Sequence, residues 1–132
     1  KLKNITGYKV VALLHLDQYI KSDESYADIT PFDISPDDFI NLVKYSKIVC
    51  TDSFHGTVFS TIFMRQFITL GNAVRGNSRF DSLFNILGIP KERQTNNVNQ
   101  IIDLLQQPID YKSVNRLKAE WQDKSNSFLQ RI

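Results

Sequence analysis

Apolar positions along the chain recur in two rhythms. Unbroken short runs stand at "YKVVALLHL" (Tyr8–Leu16), "KIVCT" (Lys47–Thr51) and "QFITL" (Gln66–Leu70), the pattern of buried strands. Between and after them apolar residues fall three and four apart, the spacing of one helix face. In "SPDDFINLVKYS" Ser35 can cap, Pro36 suits the first helical position, and Asp37 and Asp38 complement the positive helix end. Phe39, Leu42 and Val43 then share a face. Asp52 or Ser53 caps a helix from Phe54 to about Met64, with Phe54, Val58, Phe59, Ile62 and Phe63 at helical spacing. Ser78 caps a helix carrying Phe80, Leu83, Phe84 and Leu87, which Gly88 stops and Pro90 confirms. "NNVNQIIDLLQQP" gives a short helix. A long one follows over about 110–131, with a stripe of Val114, Leu117, Trp121, Phe128 and Ile132. Lys124 and Ser125 interrupt that stripe, so its last turns are assigned to another surface, such as a missing domain.

Polar residues fill the intervals. Asp17–Asp33 reads as a long loop, a class of segment that is often functional. "GNAVRGN" (Gly71–Asn77) is a second loop. Alternating strands and helices predict an α/β fold, a Rossmann-like three-layer parallel sheet with helices on both faces and right-handed crossovers. In such folds ligands bind beyond the carboxyl ends of the strands.

Composition narrows this. A chain of 132 residues suits a single domain, 1–132, with one hydrophobic core. A net charge of +2 is too weak to argue for nucleic acid. No apolar run approaches the ~20 residues of a membrane helix. The lone cysteine, Cys50, excludes an internal disulfide and suits a reducing compartment, hence a cytoplasmic location. The sequence starts at Lys1 and its one methionine is Met64, so it is read as a piece of a longer or processed protein.

The candidate chemistry follows from the sheet edge. The turn Asp52–Ser53–Phe54–His55–Gly56 lies where the second strand ends and a helix begins. Backbone N–H groups at a helix start are unpaired and, with the helix dipole, form an anion site. Gly56 lets a ligand approach the backbone, Ser53 offers a hydroxyl, and His55 an imidazole that titrates near neutral pH. Arg75 lies in the loop after the third strand, and Arg79 opens the next helix, where a cation is unfavourable unless it faces an anion. Ser53, His55, Gly56, Arg75 and Arg79 are therefore expected to surround a small phosphorylated acid. The plainer reading makes His55 a helix-start residue, Arg75 and Arg79 surface residues, and Gly56 a packing glycine. His15, inside an apolar run, reads as a core or strand-end histidine. Cys50, Asp52 and His55 lack the spacing of a zinc set, and a strand-buried Cys50 is expected to be inert. G-x-S-x-G, P-loop and G-x-G-x-x-G motifs are absent.

"DDFINLVKYSKIVCTDSFHGTVFSTIFMRQFITL", followed by "NSRFDSLFNILGI" and a tail "IDYKSVNRLKAEWQDKSNSFLQRI", resembles the C-terminal part of the polysaccharide pyruvyl transferase family, from about Phe32 to the end. The resemblance implies a two-domain architecture like that of GT-B glycosyltransferases, of which this chain supplies most of the second half. It implies transfer of pyruvate from phosphoenolpyruvate onto sugar hydroxyls of a surface polysaccharide or lipid-linked precursor as a ketal, without a cofactor or metal, at the inner face of the membrane. His55 matches the family's motif histidine, Arg75 falls at a basic loop position, and Arg79 matches the arginine of the "SR" segment. Some branches carry arginine where this chain has Ser53, and many have Lys-Pro at Arg65–Gln66. Catalytic duty is expected of His55, with Asp52 orienting it or taking a hydroxyl proton. The partners implied are phosphoenolpyruvate, a saccharide acceptor and the missing N-terminal domain; dimerisation of the isolated domain would cover an exposed apolar face. Two other classes share this pattern: half of a nucleotide-sugar glycosyltransferase, and a non-catalytic interaction domain with a vestigial anion site.

Overall fold

The computed structural model describes residues 2–13, 25–71 and 77–132. His15, Arg75 and the end of the first apolar run lie outside them. The chain divides into two compact units, Lys1–Phe39 and Ile40–Ile132.

In the first unit, helix α1 (Leu2–Thr6) ends at Gly7, whose φ of 66° is one that glycine adopts without strain. The following residues do not form the expected strand. Residues 8–13 touch 28–29 through one parallel bridge, Val11 to Ile29, and Asp28 accepts the Val10 N–H and the Lys3 ammonium. Ala12 is buried, but Tyr8, Val11 and Leu13 are exposed. A continuous apolar run needs cover on both faces to be a core strand, and a single bridge does not supply it here. Helix α2 (Pro36–Tyr45) starts as its sequence predicts. The Asp38 N–H donates to Ser35 Oγ (3.1 Å) while the Ser35 N–H donates to Asp38 Oδ2 (3.0 Å), a reciprocal capping box.

The second unit is built on strands β1 (Ile48–Thr51) and β2 (Gln66–Thr69), joined by helix α3 (Phe54–Ile62). The strands are parallel, with Ile48 opposite Gln66 and Thr51 opposite Thr69. Gln94 adds a parallel bridge to Thr69. The described residues thus hold a two-stranded parallel sheet and six helices, not the expected three-layer sheet. Two things hold it back from that layout among the described residues: residues 8–13 make one bridge and no strand, and Gln94 contributes one bridge in place of a strand.

Helix α4 (Ser78–Leu87) starts one residue earlier than expected. Asn77 holds the cap position and Ser78 is the first helical residue. Its end is as predicted. Gly88 takes φ 64°, and a Cβ there would also stand 2.8 Å from Leu117 Cδ1. A short 3-10 turn (Lys91–Arg93), α5 (Val98–Leu105) and α6 (Tyr111–Leu129) complete the unit. Phe67, Phe84, Leu87, Ile89, Ile109 and Val114 form the core. The stripe on α6 enters it only through Val114, with Leu117 half-buried; Trp121, Phe128 and Ile132 are exposed.

Helix α3 reverses an expectation. It buries Gly56, Thr57, Ser60 and Thr61, while Phe54, Val58, Phe59 and Phe63 are half-buried and Ile62 is exposed. Each buried hydroxyl returns a hydrogen bond to the carbonyl four residues back: Thr57 to Ser53 (3.1 Å), Ser60 to Gly56 (2.7 Å) and Thr61 to Thr57 (3.0 Å). Satisfied in this way, the small residues can be buried at little cost.

Candidate functional site

Every described candidate lies in the second unit, at the carboxyl edge of β1 and β2. Thr51 ends β1 and shapes the turn. Its Oγ1 accepts the Ser53 N–H (3.0 Å). Ser53, with the extended backbone of an N-cap (φ −84°, ψ 130°), accepts the Gly56 N–H at its Oγ (3.3 Å). The Ser53 carbonyl accepts the Thr57 N–H (3.0 Å) and the Thr57 hydroxyl (3.1 Å). That hydroxyl also lies 3.0 Å from Thr69 Oγ1, and both threonines are fully buried. With its proton committed to Ser53, Thr57 accepts and Thr69 donates. The chain Ser53–Thr57–Thr69 thus ties the turn after β1 to the end of β2.

Gly56 is buried against Thr51. A Cβ there would stand 2.6 Å from Thr51 Oγ1 and 3.1 Å from its Cγ2. The glycine therefore permits close packing of helix on strand, as the plainer reading had it, and its N–H is already bonded to Ser53. The two N–H groups ahead of it, those of Phe54 and His55, stand in the first turn of α3. They are the donors a helix start leaves over.

His55 is exposed, and its ring meets the edge of Phe54, centroids 6.4 Å apart at 74°. Asp52, ahead of the helix, is also exposed. Arg79, on the first turn of α4, holds its guanidinium carbon 5.2 Å over the Phe54 ring, which in turn leans on Phe80 at 5.7 Å. Phe54 thereby gathers His55 and Arg79 onto one edge. It had been read only as a core residue. Phe54, Ser78, Arg79, Ser82, Leu83 and Ile86 line a groove of about 330 Å³ beside this cluster. Arg75 lies outside the described residues.

Three features escaped the sequence reading. The first is the threonine pair at matched register, Thr51 opposite Thr69, whose hydroxyls organise the edge. The second is Asn96, which clamps Gly71, two residues past β2: its Oδ1 accepts the Gly71 N–H (3.0 Å) and its Nδ2 donates to the Gly71 carbonyl (3.1 Å). The third is Arg93, which is buried, with its guanidinium donating to the carbonyls of Phe67 and Gln107. Burial draws its pKa down. Cys50 is a correction of another kind: it stands exposed on β1 rather than buried. The chain around it nonetheless pushes its thiol up, which disfavours the thiolate that a nucleophile or metal ligand requires. Among the described residues, no three His, Cys, Asp or Glu are grouped to hold a metal ion. No described helix is long and apolar enough to cross a membrane.

A family model for polysaccharide pyruvyl transferase matches residues 2–74. The matched stretch begins well before Phe32 and contains the whole β1–turn–α3–β2 unit. It stops short of Arg75, Arg79 and the closing helix. No curated protein and no solved structure matches the chain.

Proposed function

The chain belongs to the polysaccharide pyruvyl transferase family, and on that premise we propose that the turn between β1 and α3 binds phosphoenolpyruvate for transfer of its pyruvate to sugar hydroxyls. One observation carries this reading: the first-turn N–H groups of α3, the His55 imidazole and the Arg79 guanidinium meet around Phe54 at one sheet edge. Such a set suits a dianion and a carboxylate held close together.

The reaction asks for those groups in order. A proton is added to the methylene carbon of phosphoenolpyruvate, and positive charge develops at the carbon bearing phosphate. A sugar hydroxyl attacks that carbon and loses its proton. The carbon–oxygen bond to phosphate then breaks, and phosphate departs as hydrogen phosphate. A second hydroxyl closes the ketal and returns the last proton. The N–H groups of Phe54 and His55 stabilise the leaving phosphate, Arg79 holds an anionic oxygen, and His55 binds phosphate as imidazolium or supplies the first proton. Asp52, one residue beyond the strand, takes a hydroxyl proton. Ser53 and Gly56 set the geometry of the turn. The sugar is a polysaccharide precursor, which places the work in the cytoplasm at the inner membrane face.

His55→Ala tests the assignment. Phosphate release from phosphoenolpyruvate in the presence of acceptor is expected to fall about a hundredfold or more, with an unchanged unfolding midpoint. Near-normal release would remove His55 from the chemistry. Release driven by nucleotide sugars in place of phosphoenolpyruvate would move the chain to glycosyl transfer.

A further inference from the structure

The groove beside the turn has the make-up of a second binding site. One wall is the Phe54 ring, the floor is Leu83 and Ile86, and the polar groups are the hydroxyls of Ser78 and Ser82 and the guanidinium of Arg79. Small-molecule sites share this composition, a mainly apolar surface with a few placed polar groups, and about 330 Å³ is at the lower end of their usual size. Ser78, Arg79, Ser82 and Ile86 are exposed along one side of α4, so the groove opens to solvent. Its position matters more. It shares Phe54 with the His55 side of the cluster and Arg79 with the anion site.

We infer that this groove is the acceptor subsite and takes one saccharide ring. This rests on the pyruvyl-transfer reading, which requires a sugar hydroxyl to come within about 3–3.5 Å of the donor carbon. The acceptor must then occupy space that borders the donor site, and the groove does so on two shared residues. A pyranose presents C–H groups on its faces and hydroxyls around its rim. The faces match Leu83, Ile86 and Phe54. The rim hydroxyls match Ser78 and Ser82, which both donate and accept, and Arg79, which carries five donors and can serve an anion and a hydroxyl together. An apolar protein segment would leave both serines and the guanidinium without partners, and a second anion would leave the floor unused.

The test is an amide and side-chain NMR titration of this chain with methyl α-mannoside, methyl β-galactoside and N-acetylglucosamine, alongside uridine monophosphate. Phosphoenolpyruvate is titrated separately. At least one sugar is expected to give saturable shifts at Phe54, Ser82, Leu83 and Ile86. Ser82→Trp, on an exposed helical position, fills the groove and is expected to weaken those shifts at least tenfold, while Ser82→Ala retains them. An unchanged circular dichroism melt shows that the tryptophan variant is folded. The inference is overturned if no sugar shifts these residues, if Ser82→Trp leaves the shifts intact, or if uridine monophosphate alone produces them. Sugar shifts in the groove without phosphoenolpyruvate shifts at His55 keep the subsite and sink the donor assignment. The reverse pattern sinks the subsite and keeps the donor.

Discussion

Helices α3 and α4 both begin at the carboxyl edge of the sheet, yet their starts are built in opposite ways. At α3 the cap residue Ser53 has extended backbone and bonds the Gly56 N–H, and buried hydroxyls anchor it from beneath. At α4 the cap residue Asn77 has helical backbone (φ −109°, ψ 0°) and makes no capping bond. Its buried Oδ1 has no hydrogen-bond partner among the described residues. Arg79 then adds a cation to the helix end that disfavours one. The first start is complete before any ligand arrives, apart from its two leading N–H groups. The second leaves polar capacity and positive charge unspent, as suits a surface that closes on a ligand's anion. In the proposed reading, the donors of α3 and the cation of α4 divide the work of holding one small dianion.

The sharpest way to break this contrast is at Gly56. Gly56→Ala is expected to destabilise the chain by about 1–3 kcal/mol, since its Cβ meets Thr51 Oγ1 at 2.6 Å. Urea denaturation of Gly56→Ala with and without Thr51→Ala measures the conflict. The double variant should recover part of the loss, and strict additivity would show that Thr51 is not the obstacle.

Next is the buried hydroxyl chain. Thr57→Val leaves Thr69 without its partner and is expected to cost about 1–3 kcal/mol, whereas Thr57→Val with Thr69→Val should cost less than the sum of the single changes. Thermal melts of the three variants decide this. A fully additive pair would separate the two threonines and loosen the proposed tie between strand ends.

The smallest effects compare the two caps directly. Ser53→Ala is expected to cost about 1 kcal/mol, while Asn77→Ala, which removes no capping bond, should stay within about 0.5 kcal/mol. Equal losses in chemical denaturation would mean that the two starts are alike after all.

Much of this edge could be read from residue order. Ser35–Pro36 marked α2, Gly88 closed α4 with the left-handed turn expected of it, and Asp110 opened α6. The place after an apolar run left Asp52 or Ser53 as the cap of α3, and the structure gives Ser53. The face of α3 could not be read, because hydroxyls count as polar in a periodic pattern, yet Thr57, Ser60 and Thr61 hide theirs against the preceding turn. The first apolar run misled for the opposite reason: Val11 and Leu13 are hydrophobic, yet both are exposed, and Val11 makes an isolated bridge to Ile29. Arg93 was missed because nothing in its neighbourhood signals that two carbonyls, not a carboxylate, receive a buried guanidinium. The role of Phe54 depends on Arg79, a contact across two helices that spacing does not encode.

The most direct measurement is a titration of this chain with phosphoenolpyruvate, followed at the Phe54 and His55 amides and the His55 ring, with inorganic phosphate and a nucleotide sugar as comparisons. The account predicts saturable shifts at those groups and at Arg79, stronger for phosphoenolpyruvate than for phosphate. Shifts confined to other parts of the chain, or produced by the nucleotide sugar alone, would contradict it.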